Sequence, residues 1–485
     1  MSLKHLYKFR VRKESIFFVL FLFSSLLFSC KKDTVITSPS AKLSFSGDSV
    51  LFDTVFTTVG STVRAFLVRN TNSQPIVISS IKLAGNFTSP FKINVDGTPG
   101  TSFSNIRIPA KDSIFVFVTC TLNPNNQNNP LVIEDSLIFL TNGNTQKVYL
   151  EAWGQDAFFF KPNVFPASGP AYSIIPCNST WTSAKPYVIL GYAVVDSACT
   201  LTINPGAKIY FHNNAVLWVY KDGTLIVGQG GNNTNPVTFQ GDRLEPQYQT
   251  VPGQWGEIWL SQGSVNNIIS WSVIKNGNIG VEADTLGNSS PTLKIDHTII
   301  KSMSSYGLLG VGSHITADDI LIEDCQYYCL DLSLGGKYSF NQCTFANYWS
   351  YGQRQTSLLA INNHYTDLSG NMQTRNMDSA NFYNCLIYGS IAEEVNLDQG
   401  GSGQFNYFFG DCFLKTQRSL GTSNYNDCSV TDPLFISTSE PPADNYHVIS
   451  NSQAIGKGTS IYGTPSPDLD DLSRNYPSTL GAYNN

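Results

Sequence analysis

The chain has 485 residues, of which 41% are hydrophobic, 12% aromatic and only 14% charged, with a formal net charge of −6 at pH 7. That acidic balance argues against broad electrostatic capture of nucleic acid or another polyanion. Loops crowded with Gly, Asn, Ser and Thr predict many short strands and turns, in a chain long enough for two domains.

At the N-terminus, Lys4, Lys8, Arg10, Arg12 and Lys13 precede the apolar run Ile16–Phe28. The run is shorter than the ~20 residues a membrane-spanning helix needs and fits a secretory signal. "LFSC", ending at Cys30, resembles the lipobox of bacterial lipoproteins. The resemblance implies a signal peptide over 1–29, lipidation of Cys30, a linker over 30–42 and attachment to a membrane through the lipid. Lys31 follows in place of the aspartate linked to inner-membrane retention, so the expected location is the outer membrane, with the leaflet open. The first 29 residues hold five Lys or Arg and one acid, so their removal leaves a charge of −10. Nine cysteines then remain. An odd number leaves at least one unpaired within a single chain. There is no Cys-x-x-Cys or His-x-x-x-His, so no metal site is expected, and buried thiols with an occasional disulfide are.

Residues 43–155 predict a small β domain. Seven runs suit strands, "VLFDTVF", "VRAFLVRN", "IVISSIKL", "FKINV", "SIFVFVTCTL", "DSLIFL" and "KVYLEAWG", all rich in β-branched and aromatic residues. Seven short strands in this length point to an antiparallel sandwich. With "FDTVFTTVGST", "IPAKDSIFVFV" and the closing "VYLEAWGQD", the segment is similar to Hydin-like immunoglobulin-type domains, which implies a spacer or binding module.

Beyond it the pattern changes to short recurring strands. Aligning "ISWSVIKN", "IDHTIIKS", "ADDILIED", "FNQCTFAN", "FYNCLIYG" and "FGDCFLKT" places Ser272, Thr298, Ile320, Cys343, Cys385 and Cys412 in one column, at spacings of 26, 22, 23, 42 and 27. A period in the low twenties is one coil of a parallel β-helix, and the spacing of 42 marks an insertion, placed near 346–381. Two residues on, Ile274, Ile300, Ile322, Phe345, Ile387 and Leu414 are all apolar. Side chains two apart share a strand face, so both columns point inward and the three cysteines read as small apolar rungs. With "DPLF", "NYHVISNSQAIGKGT" and "DLDDLSRN" near the end, the region resembles secreted right-handed parallel β-helix proteins of the pectate-lyase-like superfamily. The whole reads as all-β: an immunoglobulin-like sandwich, a right-handed parallel β-helix over 165–437, and a tail over 438–485 packing on it.

The resemblance leaves function open, because this fold carries lyases, hydrolases, adhesins and proteins without activity. Polygalacturonase-type hydrolases of the superfamily use clustered aspartates with Gly-His-Gly and Arg-Ile-Lys. This chain offers Asp318 and Asp319 but neither motif. A second acidic pair, Glu393 and Glu394, sits in "EEVNLDQGGSGQ", which reads first as a solvated loop. A lyase would bring calcium; otherwise no cofactor is expected. Tyr327, Tyr328, Tyr348, Trp349 and Tyr351 form the more suggestive group, because aromatic faces stack on sugar rings, although they also suit a cover for the apolar column Val273, Ile299, Leu321, Thr344, Leu386 and Phe413. The expected function is therefore non-catalytic binding of a glycan or a surface protein. A polysaccharide lyase or glycoside hydrolase is the alternative, and a structural envelope component comes third.

Overall fold

The structure is a computed structural model that describes residues 34–57, 59–123, 131–284 and 291–484. Cys30 and the leader lie outside the described residues. The chain divides after Gln155 into two compact units.

The first unit packs two five-stranded sheets face to face. Its strands alternate, as Phe91–Val95 shows with Phe91, Ile93 and Val95 buried, and the inward residues of both sheets form one core with Phe66, Ile78, Val118, Phe139 and Leu150. Among the described residues there are ten strands here where the sequence reading has seven, because the edge pieces Ser44–Phe45, Thr98–Gly100 and Ser102–Ile108 have no buried alternation to betray them. The pairing is antiparallel except that Ser49–Phe56 lies parallel to Asn144–Gln155.

The second unit is a parallel β-helix. Each coil contributes to three faces: two share an eighteen-strand system, and the third is a nine-stranded sheet. The two adjoining faces are joined by long bent strands such as Leu293–Met303, and each bend falls on one residue with positive φ. These corner residues are in register from coil to coil: Trp271, His297, Asp319, Gln342, Asn384, Asp411 and Asp427, with φ between 43° and 55°. Left-handed backbone costs a non-glycine residue energy, least for Asn and Asp, whose short side chains hydrogen-bond locally. That is why Asn, Asp or Gln precedes the cysteine in "NQC", "YNC", "GDC" and also "NDC" at Cys428.

The columns read from the sequence coincide with the registers. Ile274, Ile300, Ile322, Phe345, Ile387 and Leu414 pair in succession and are fully buried. Coils repeat every ~4.8 Å, which is the stacking distance of aromatic rings. Inside the solenoid Phe340, Phe382, Phe409 and Tyr425 accordingly stack with centroids 5.0, 4.9 and 5.4 Å apart. Cys325, Cys329, Cys343, Cys385 and Cys412 are sealed in this core, where burial pushes the Cys329, Cys343, Cys385 and Cys412 thiols well up. Cys177 and Cys199 form a disulfide.

The apolar column on the outside of the second face is covered by the tail, with Tyr348 of the aromatic group packed among the covering residues. Ile299 and Leu321 lie under Tyr446, Leu469 and Ala482; Leu386 and Phe413 lie under Val448, Ala454 and Leu480. The tail is pinned to successive corners. His297 Nε2 lies 2.9 Å from the Pro467 carbonyl, Arg474 donates to Asp319 from Nε at 3.0 Å and Nη2 at 2.5 Å, Gln342 bonds Ser478, and Asn384 accepts from the Thr459 amide. "DLDD" closes on itself, with Asp468 accepting from the amides of Asp470, Leu472 and Asn484.

Two outcomes follow from this packing. Alkylation of the native protein is expected to reach Cys428 first, half-buried and with its thiol held down by hydrogen bonding to Cys412; mass spectrometry that finds Cys343 or Cys385 labelled before unfolding overturns the dry interior. Asp319 and Arg474 are both fully enclosed. Arg474→Met leaves a buried charge and should cost about 3–5 kcal/mol in denaturant unfolding, with Asp319→Asn in the same chain recovering most of it.

Candidate functional site

The outer surface of the nine-stranded sheet differs from the rest of the solenoid. Its strands are Tyr172–Ile174, Tyr192–Val195, Val216–Val219, Ile258–Leu260, Ile279–Ala283, Tyr306–Val311, Tyr328–Ser333, Leu359–Asn362 and Val395–Asp398. In-register pairing puts Val194, Trp218, Trp259, Glu282, Leu309 and Asp331 in one outward row. The indoles of Trp218 and Trp259 stack at 4.9 Å and 15°, with Tyr192 and Tyr220 edge-on to Trp218. Farther along, Tyr306 stacks on Tyr328 at 5.9 Å and 10° and lies 6.2 Å from Tyr327. Two aromatic platforms thus flank a stretch of acids on a flat face.

Glu257 and Glu282 come from adjacent coils and lie close enough to repel one another, and Asp284 lies within their field. Burial, reinforced by the negative charge of Glu282 and Asp284, pushes Glu257 up to about 8. Burial also raises Glu282 and Asp284, the latter opposed by the 3.2 Å hydrogen bond from Trp259 Nε1 to Oδ2. Asp331 is 8% exposed; burial lifts it to about 6 against the hydrogen bond from Ser333 to Oδ1. Trp218 Nε1 and Asp284 Oδ1 are buried atoms without a hydrogen-bond partner among the described residues.

Loops wall the face along both edges. The segment 348–358 precedes Leu359–Asn362, yet Tyr351 donates to Thr250, which precedes Ile258–Leu260. The three strands between them therefore run beneath a rail that also holds Trp349, 5.4 Å from Tyr351. On the other edge the hairpin His364–Thr366 with Met372–Thr374 follows Leu359–Asn362, and His364 Nε2 lies 3.2 Å from Asp398. The spacing of 42 thus contains this rail, a regular strand of the sheet and the hairpin, not one uniform insertion.

The expected site residues separate. Tyr327 and Tyr328 belong to the floor of the face, and Trp349 and Tyr351 to its rail. Tyr348 lies apart, stacked on Tyr446 at 6.1 Å and against Phe435 beneath the tail. Asp319 is a corner residue closed off by Arg474; burial lifts it to about 7 against that guanidinium. Asp318 stands in register between Asp296 and Asn341, raised to about 6 by burial and then by Asp296. Glu394 is not on a solvated loop: it is fully buried, its carboxylate gripped by Arg354 and by the amides of Leu358 and Ile391. Glu393 holds the amides of Val395 and Gln417. None of these four acids lies among the outward acids of the nine-stranded sheet. Glu257, Glu282, Asp284, Asp331, Trp218 and Trp259 do, and sequence reading missed them. Among the described residues no group of three or more His, Cys, Asp or Glu is placed to hold a metal ion.

No family model and no curated protein matches the sequence. Similar solved structures include the catalytic unit of a GH87 α-1,3-glucanase from Streptomyces thermodiastaticus, 10% identical over 74% of this chain and 64% of that one, TM-score 0.18. Also similar are a family 123 glycoside hydrolase from Clostridium perfringens, 9% identical over 24% of this chain and 27% of that one, TM-score 0.18, and a PapD-like domain of human CEP192, 12% identical over 26% and 92%, TM-score 0.17. The chain thus spans under a third of the family 123 enzyme and under two thirds of the glucanase. None of these likenesses assigns a role to a residue.

The raised acids set a pH dependence. Glu257 at about 8 and Asp331 at about 6 stand above the ordinary carboxylate value of ~4. Between those limits the folded state keeps protons that the unfolded chain has released, so this stabilisation is complete below ~pH 4 and is lost as pH rises through 6 to 8. Buried Glu323, at about 8, acts in the same direction. The melting temperature of the β-helix is expected to fall between pH 5 and pH 8.5, and Glu257→Gln to flatten the upper part of that fall; a midpoint that climbs with pH overturns the assignment.

Proposed function

We propose that the outer face of the nine-stranded sheet binds an extended glycan. The observation that carries this reading is the stacked pair Trp218 and Trp259, lying in register with Glu282 and Asp331 and continued by Tyr306 and Tyr328. Planar rings present apolar area to the apolar faces of sugars at little entropic cost, and acids beside them take hydroxyl hydrogen bonds. Lipidation at Cys30 would hold this face near an outer membrane, and the first unit would act as a spacer.

A second reading, glycoside hydrolysis, is favoured by one observation: Glu257 and Glu282 are desolvated together on adjacent coils, and burial raises both. A carboxylic acid still protonated at neutral pH is able to protonate a glycosidic oxygen. A lyase acting on uronates fits less well, since none of the nine strands contains a lysine or arginine to serve it.

Affinity electrophoresis and reducing-end assays across a polysaccharide panel test both. Retention without product is expected from the binding reading, with Trp259→Ala weakening it about tenfold and Trp349→Ala, on the rail, weakening it less. Retention that survives Trp259→Ala overturns the placement. Product that disappears in Glu257→Gln, with the sugar still retained, establishes the hydrolase.

A further inference from the structure

We propose that Cys412 and Cys428 are a dithiol modification site, which a disulfide-bearing oxidant closes into a second bond between neighbouring coils. The proposal is independent of the glycan reading. Four inward thiols stand in one register at the end of the eighteen-strand system. Asn341 pairs with Tyr383, Tyr383 with Gly410 and Gly410 with Asn426; on the other side of the cysteine Thr344 pairs with Leu386, Leu386 with Phe413 and Phe413 with Ser429. Cys343, Cys385, Cys412 and Cys428 therefore follow one another along the solenoid, one to a coil.

The chain already shows what that register permits. Thr180 pairs with Thr202 and Trp181 with Ile203, and the same register counted back three residues sets Cys177 opposite Cys199, whose Cα atoms are 4.9 Å apart and whose sulfurs are bonded. In-register residues of neighbouring coils lie ~4.8 Å apart, within the span that a disulfide bridges without moving the backbone. Cys412 and Cys428 stand in the same relation as Cys177 and Cys199. Cys428 Sγ lies 3.3 Å from the Phe409 carbonyl, so its sulfur leans toward the layer that holds Cys412.

Access selects this pair from the ladder. Cys343, Cys385 and Cys412 are buried, whereas Cys428 is half-buried beside Tyr425–Asn426, the last strand of the eighteen. Hydrogen bonding to Cys412 also holds the Cys428 thiol down, which favours the attacking thiolate. With a small disulfide such as oxidised glutathione, Cys428 loses its proton and attacks one sulfur; that S–S bond breaks and one glutathione leaves, taking up the proton. Cys412 then loses its proton and attacks Cys428 Sγ, the mixed disulfide breaks, and the second glutathione leaves as a thiol. Two protein thiols have given up two electrons, and the reagent has gained them.

The bond would act where the stack has least support. A terminal coil has a neighbour on one side only, and this one is held to the Cys412 coil by hydrogen bonds from Ser429 N to the Cys412 carbonyl at 2.9 Å and from Leu414 N to the Ser429 carbonyl at 2.8 Å. From Ser429 the chain runs on into the tail. Closing Cys412 to Cys428 thus fixes both the last coil and the root of the strap laid over the others.

The test takes full-length protein in a non-ionic detergent, reduced with dithiothreitol, freed of it and incubated with oxidised glutathione at pH 8. Mass spectrometry of linked peptides distinguishes this bond from Cys177–Cys199. A Cys412–Cys428 peptide is expected, and hydrogen exchange at the Ser429 amide should slow on the order of a hundredfold relative to the reduced protein. Cys412→Ala should stop at a glutathione adduct on Cys428, and Cys428→Ser should leave Ser429 exchange unchanged by the oxidant. A lasting glutathione adduct on Cys428 of the unsubstituted protein, with Cys412 free, overturns the pairing, as does a Cys385–Cys412 bond or no reaction at Cys428. A Cys412–Cys428 bond that leaves Ser429 exchange as fast as before overturns its role in fixing the last coil.

Discussion

One backbone conformation organises the β-helix. A single left-handed residue, repeated in register from Trp271 to Asp427, turns each long strand from one face to the next without a loop. Because the bend uses one residue, the side chains on either side of it keep fixed directions, and every coil presents its inward positions at the same height. The stacked Phe340, Phe382 and Phe409, the buried cysteines and the isoleucine ladder all depend on that coincidence. The corner side chains have a second use, since the tail's contacts through Pro467, Arg474, Ser478 and Thr459 are made to them.

The sequence shows the parts of this arrangement that repeat. The column from Ser272 to Cys412 and the apolar column two residues on could be read because six coils carry recognisable copies, and their registers coincide with the pairing found. The left-handed corners were printed in the same motifs, as the Asn, Asp or Gln before each cysteine, but a preference for αL is weak at any one position and stands out only once the register is known. Residues whose meaning depends on unequal loops were not legible. Trp218 and Trp259 are neighbours in space but 41 positions apart, separated by the long segment 242–257, and Glu282 follows Trp259 by 23. No single period brings the three together. Acids that did stand out as pairs in the sequence, Asp318 with Asp319 and Glu393 with Glu394, are adjacent for local reasons: a corner in one case and anchoring of neighbouring loops in the other.

Burial divides the acids into two kinds. Asp319 and Glu394 are enclosed together with an arginine, so their charge is neutralised inside the protein and their geometry is fixed. Glu257, Glu282 and Asp331 have no arginine or lysine in their strands, and burial raises them as it raises Asp319 in spite of its arginine.

The disulfide has a consequence for how such a rod comes apart. A solenoid behaves as a one-dimensional stack in which each coil is held mainly by its neighbours, so disorder enters by fraying at an end, where a coil has a neighbour on one side only. Cys177 and Cys199 are 22 residues apart, the length of one turn, and sit just before the paired strands Thr180–Trp181 and Thr200–Ile203. The bond therefore joins one layer of the stack to the next across the direction in which layers would peel. At the opposite end the tail does the same job without covalent chemistry, lying lengthwise over several layers. Both open edges of the stack are thus latched, and unzipping must begin by breaking a covalent bond or lifting a strap that crosses many coils at once.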